Sequence, residues 1–155
     1  MADELTLVRK AAYALLARRE YGRQEMVNKL RGKGFAPELV ESVVEQLVTE
    51  RLLSDERFVD AFVRSRGNRG YGPRRIEAEL RERGISDELS DERIAAGPSE
   101  DESDWVARAE EVRCRKFGEE LPRDFQERAK QMRYLEYRGF THEQIRAVFK
   151  REGTS

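Results

Sequence analysis

The stretch Tyr71-Gly72-Pro73-Arg74-Arg75-Ile76-Glu77-Ala78-Glu79-Leu80-Arg81-Glu82-Arg83-Gly84-Ile85 decides the reading of the chain, because it is a second copy of one fifty residues earlier. The first copy runs from Tyr21-Gly22-Arg23 through Met26 and Leu30 to Lys33, Gly34 and Phe35, in gapless register. A weaker third copy, Met132, Leu135, Arg138, Gly139 and Phe140, keeps the closing pattern and lacks the Tyr-Gly opening. Each copy reads as the end of a helix: apolar residues at helical spacing, a cation in the last turn, then glycine at a left-handed cap. Self-similarity at a fixed period implies repeated structural units that share a core with their neighbours.

Working outward, Leu5, Val8, Ala12, Leu15 and Leu16 fit one amphipathic helix, and Leu39, Val40, Val43, Val44 and Leu47 another that starts at Pro37. Ser54 is placed to cap a helix carrying Phe58, Val59, Phe62 and Val63. Further helices start near Asp87 and at Thr141, where Thr141 and Gln144 have capping-box spacing. One repeat is therefore three helices. The expected architecture is all-α, an elongated curved array of three tandem three-helix repeats over residues 5–53, 54–96 and 105–152. An acidic, breaker-rich linker at 97–104 precedes the third, which begins near Ser103.

Composition agrees with a thin helical protein: 39% of residues are charged and 38% hydrophobic, too apolar for a disordered chain and too polar for a wide core. Cys114 is the sole cysteine, which excludes an internal disulfide and points to a reducing cytoplasm. No apolar run is long enough to span a bilayer, so no membrane role is expected.

The inventory for catalysis is poor. His142, the sole histidine, falls in the first turn of an expected helix and reads as an exposed capping-region side chain rather than a base. One Cys and one His cannot assemble a usual zinc site, and the acidic linker lacks the spacing of a calcium loop, so no metal or cofactor is called for. Gly67, Gly70 and Gly72 form a helix-to-helix turn rather than a phosphate loop, since no strand precedes them and no Gly-Lys-Ser/Thr follows. Trp105 reads as an anchor for the third repeat, with stacking on a base or partner as the alternative. Cys114, between Arg113 and Arg115, reads as a buried inert thiol rather than a reactive one.

Charge is nearly balanced overall, at a formal net of -1, and unevenly distributed along the chain. Residues 9–33 hold Arg9, Lys10, Arg18, Arg19, Arg23, Lys29, Arg31 and Lys33 against Glu20 and Glu25. The equivalent part of the second repeat holds Arg64, Arg66, Arg69, Arg74, Arg75, Arg81 and Arg83 against Glu77, Glu79 and Glu82. Arginine forks suit phosphate and carboxylate pairing. The turns bearing Arg18, Arg19 and Arg23 and those bearing Arg66, Arg69, Arg74 and Arg75 are therefore the candidate binding residues for an anionic partner. The competing reading is that such arginines solvate helices or pair with neighbouring acids.

These residues also carry a resemblance. Asp55-Glu56-Arg57-Phe58, Arg64-Ser65-Arg66, Gly70-Tyr71-Gly72-Pro73 and Ile76 to Gly84 closely resemble the signature of the RecX family. Ala14-Leu15-Leu16 with Arg18 to Tyr21, Leu30 to Phe35, and Tyr134-Leu135 with Arg138-Gly139-Phe140 resemble its flanking motifs. The resemblance implies a non-enzymatic, monomeric, cytoplasmic regulator that binds the RecA recombinase filament on DNA and tempers its ATPase, strand-exchange and coprotease activities. Two other classes stand against it: a stand-alone DNA-binding module of helix-turn-helix type, and a hydrolase or nuclease, whose turnover single carboxylate changes would abolish.

Overall fold

The computed structural model describes residues 3–98 and 104–151. Among them the chain is all helix, without strands: α1 (Glu4–Leu16), α2 (Arg23–Gly32), α3 (Pro37–Thr49), α4 (Asp55–Asn68), α5 (Pro73–Glu82), α6 (Asp87–Ala95), α7 (Trp105–Phe117), α8 (Phe125–Tyr137) and α9 (His142–Arg151). In chain order they make three successive triplets, the number that the repeat requires. Residues 99–103 of the expected linker, Ser103 included, lie outside the described residues. At the linker's start Pro98 is buried, and Gly67 lies so near it that a Cβ there would be 3.2 Å from the Pro98 Cβ.

The start signals act as their side chains suggest. Asp3 Oδ1 accepts from Thr6 N at 2.8 Å, Ser54 Oγ from Arg57 N at 3.2 Å, and Asp104 Oδ1 from Ala107 N at 2.7 Å. Thr141 and Gln144 cap reciprocally, at 3.1 and 3.0 Å. The stops follow equally directly: Gly34, Gly84 and Gly139 have φ of +90°, +78° and +104°. After two of them the chain folds back, Ile85 N donating to Leu80 O and Phe140 N to Leu135 O, both at 3.1 Å. Helix α3 ends differently. Arg51 takes φ +62° without being glycine, and its carbonyl accepts from Arg57 Nη2 at 2.8 Å.

The chain forms two compact units. The first comprises the residues up to Ala61 together with Leu80–Leu89; the second comprises Phe62–Glu79 and the residues from Ser90 onward. In the first, α1, α2 and α3 pack mutually around Val8, Ala12, Met26, Leu30, Val40, Val43, Val44 and Leu47. In the second, α7, α8 and α9 pack mutually, burying Ala109, Leu135, Phe140, Ile145 and Val148. Trp105 anchors α7 by donating its indole N–H to the Ile94 carbonyl at 2.8 Å.

One core position departs from the apolar pattern. Counting back four residues from Leu135, the place held by Met26 and Ile76 in the other copies falls on Gln131, not on Met132, and Gln131 is buried. It faces Arg113, a fully buried arginine of α7. That guanidinium donates to Gln131 Oε1 at 3.3 Å, Glu110 Oε1 at 3.0 Å and the Glu119 and Glu120 carbonyls at 2.9 and 3.3 Å. A buried charge survives only with such partners. This network fixes the loop between α7 and α8.

The Tyr-Gly opening of the first two copies has a packing role that the helix-end reading did not supply. Within the second unit, Gly72 N donates to Arg138 O and Arg74 N to Gly139 O, both at 2.8 Å. A Cβ on Gly72 would lie 2.5 Å from the Gly139 carbonyl carbon and from Phe140 N, against backbone that cannot yield. Within the first unit, Gly22 lies against Phe58 and Ile85, and a Cβ on Gly84 would lie 2.7 Å from the Gln24 Cβ. The opening of one copy thus seats on the closing turn of the next.

Gly72→Ala should therefore cost about 3 kcal/mol or more, the upper end of overpacking penalties, read as a lowered midpoint in urea or thermal unfolding. Gly32→Ala, with nothing within 4 Å of its would-be Cβ, should be neutral or stabilising by up to about 1 kcal/mol. Equal effects from the two would contradict the seating.

Candidate functional site

The seven arginines divide by what their side chains touch. In the first unit the Arg19 guanidinium lies 3.7 Å from the Tyr21 ring centroid and forks onto Glu25, at 2.9 and 3.0 Å. The Glu25 carboxylate raises the Arg19 pKa further, through the hydrogen bonds first and its charge second, although burial acts the other way. Arg83 reaches the same carboxylate at 3.9 Å, and Arg57 pairs with Glu20 at 3.2 Å. Arg23 gives its backbone N–H to Asp55 Oδ1 at 2.7 Å and holds its guanidinium 3.7 Å from Glu45. Arg18 is exposed, with no ion-pair partner among the described residues.

In the second unit Arg66 pairs with Glu79 at 3.1 Å and lies 4.4 Å from the Phe62 ring centroid. Arg75, half-buried, lies 4.2 Å from the Tyr71 centroid. A second cation, Arg138 from the closing turn of the third copy, is also 4.2 Å from that ring, and its Nε donates to Gly70 O at 3.1 Å. Arg69 and Arg74 are exposed and make no ion pair with a described residue.

The two copies differ because of one charge. Position 25 is glutamate and its equivalent, position 75, is arginine. In the first copy the glutamate binds Arg19. In the second, Arg75 takes the tyrosine ring and Arg69, the equivalent of Arg19, binds no carboxylate among the described residues.

Arg18, Arg69 and Arg74 thus present unneutralised charge, whereas Arg19, Arg23, Arg66 and Arg75 are engaged within the chain. Arg138, Arg108, Arg115 and Lys116 were missed by sequence reasoning. They line a cleft of about 180 Å³ with Arg69 and Glu111. Arg138 could have been found, since it occupies the cation position of the repeat held by Lys33 and Arg83.

The groups considered for chemistry do not converge. Among the described residues no cluster of His, Cys, Asp or Glu could hold a metal ion. Cys114 is half-buried rather than buried as expected, and its partial desolvation and the Glu110 carboxylate push the thiol up, away from a reactive thiolate. His142 is largely exposed, 3.7 Å from Glu136. Gly70, at φ +87°, closes α4 and Gly72 precedes α5, so these two form a helix-to-helix turn, whereas Gly67, expected in that turn, lies within α4. No helix among the described residues is long and apolar enough to cross a membrane.

Fold and turns together define a protein of three three-helix modules with arginine-rich connecting turns. Family models described as the first, second and third three-helix domains of RecX match residues 9–47, 54–92 and 102–149. The chain is 46% identical over 143 residues to the regulatory protein RecX of Pseudomonas entomophila, covering 92% of this chain and 90% of that one. It is 47% identical over 141 residues to the regulatory protein RecX of Halorhodospira halophila, covering 91% and 85%. A crystal structure of RecX from Lactobacillus salivarius shares the fold over the full length of both chains, with a TM-score of 0.81 at 18% identity. The chain belongs to the RecX family, and its role is regulatory.

The division of arginines predicts unequal costs. Arg19→Ala removes a forked ion pair and a cation on a ring, and should lower stability by about 1 kcal/mol. Arg18→Ala should change it by no more than about 0.5 kcal/mol. Urea unfolding of the two variants would contradict the division if Arg18→Ala cost as much as Arg19→Ala.

Proposed function

We propose that this chain binds the RecA recombinase filament on DNA and restrains its ATP hydrolysis, strand exchange and coprotease activity, thereby tempering recombination, DNA repair and the SOS response. The observation that carries the reading is family membership along nearly the whole chain: relatives named regulatory protein RecX match over nine-tenths of its length. The reading takes three modules, at residues 5–53, 54–96 and 105–152, acting as a monomer in the cytoplasm and without turnover of a substrate.

Restraint of this kind needs no active site. A chain that carries several modules can touch more than one filament protomer, so its affinity depends on their spacing, and a binder that prefers one spacing shifts the filament toward it. The exposed, unneutralised Arg18, Arg69 and Arg74 are suited to phosphate or acidic protein surface. The engaged arginines support the reading differently, by holding the turns that present the exposed ones.

Titrating the protein into RecA hydrolysing ATP on single-stranded DNA should lower the steady-state rate progressively, and an unchanged rate at excess protein would overturn the reading. Arg18→Glu with Arg74→Glu should weaken that inhibition severalfold at unchanged helicity, since neither side chain is engaged by a described residue. Arg75→Glu suits this purpose less, because it would also strip a cation from the Tyr71 ring.

A further inference from the structure

The cleft in the second unit has more cationic charge than its own structure uses. Arg69 enters from the turn after α4; Arg108, Arg115 and Lys116 from α7; Arg138 from the end of α8. Glu111 is the one carboxylate among the described lining residues. No described residue pairs with Arg69, Arg108, Arg115 or Lys116 through a carboxylate. The Nε of Arg108 is buried without an acceptor among the described residues. Such a donor is costly unless something supplies the missing oxygen.

A structural use accounts for part of this charge. The cleft is bordered by the C-terminal ends of α4, α7 and α8, and each helix end carries about half a negative charge. Arg138 also spends its donors on the carbonyls of Gly70 and Arg69. Among the described residues, these five cations still exceed what Glu111 and three helix ends offset. The surplus faces a concave space reached by donors from three directions, which suits an anion with acceptors on several sides. A phosphodiester has that form. A strand of them also supplies repeated charge at close spacing, whereas a lone carboxylate supplies one. The narrowness of the space, about 180 Å³, favours a single strand over a duplex.

We propose that this cleft seats the sugar-phosphate backbone of single-stranded nucleic acid, with Arg69, Arg108, Arg115 and Lys116 as its phosphate contacts. Arg138 is a positioning residue, held by the Tyr71 ring and the Gly70 carbonyl, that keeps the wall in place. Gly70 has no Cβ for the same reason: one there would lie 2.8 Å from Arg138 Nη2. The proposal deepens the filament reading, on which it rests for the nucleic acid being DNA held by RecA, while its geometry belongs to this chain alone.

The test is fluorescence anisotropy of labelled oligo-deoxythymidine with the full chain across a salt series. Arg115→Gln with Lys116→Gln changes two exposed residues of α7; Lys10→Gln with Lys29→Gln makes the same charge change on exposed residues of the first unit. The cleft variant should bind at least tenfold more weakly at low salt. The slope of log affinity against log salt should become shallower by about 1.4, two single-strand contacts' worth. The lysine control should stay within about twofold in affinity, the measure of a general charge effect. Arg69→Gln, on a different element, should also weaken binding. Equal losses in cleft and control variants, or an unchanged slope, would overturn the proposal. So would displacement of the oligonucleotide by polyglutamate as readily as by unlabelled strand, which would assign the cleft to an acidic polypeptide. Assaying the same cleft variant against RecA ATP hydrolysis keeps the two claims apart: oligonucleotide affinity alone decides the cleft, and inhibition by the unaltered chain alone decides the filament reading.

Discussion

Two helix ends satisfy each other at Gly72, and the rest of the second unit depends on that contact. The N-terminus of a helix leaves amides without acceptors and its C-terminus leaves carbonyls without donors. Here the Arg74 amide, at the start of α5, and the Gly72 amide before it donate to the Gly139 and Arg138 carbonyls just beyond α8. The approach is close enough to exclude a side chain at Gly72, so one residue type is compulsory. The first unit solves the same problem otherwise. The amide opening α2 is satisfied by the Asp55 carboxylate, and the closing turn at Gly84 is pressed against the Gln24 side chain.

That contact also determines where charge ends up. Seating a closing turn on an opening turn brings the cation before the closing glycine to the tyrosine of the opening, as Arg138 meets Tyr71. The ring is a platform on which guanidinium groups rest in fixed positions. With Arg75 and Arg138 both at that ring and no glutamate equivalent to Glu25, Arg69 has no carboxylate partner among the described residues and stands at the edge of a basic cleft. In the first unit the glutamate is present and the charge is consumed internally.

Much of the fold could be read from the sequence because helix ends are local events. The caps at Ser54 and Thr141 and the stops at Gly34, Gly84 and Gly139 each depend on residues within five positions of one another. The stop at Arg51 was illegible because its left-handed conformation is adopted without glycine, held instead by the turn around it. Gln131 was passed over for Met132 because the core position it fills is polar only on account of Arg113, a partner on another helix. The candidate site divided along the same line. The register located basic turns, but which arginines are spent on Glu25, Glu79 or Tyr71 is settled by pairings that local pattern does not encode, and the cleft draws on residues about seventy positions apart.

Amide hydrogen exchange at Gly72 and Arg74, resolved residue by residue by NMR, addresses the central contact directly. If the two helix ends satisfy each other, both amides should open only together with the helices of the second unit, with protection matching that of the core amides of Leu135 and Ile145. Exchange of Gly72 and Arg74 near the rate of an unstructured peptide, while Leu135 and Ile145 stay protected, would contradict it.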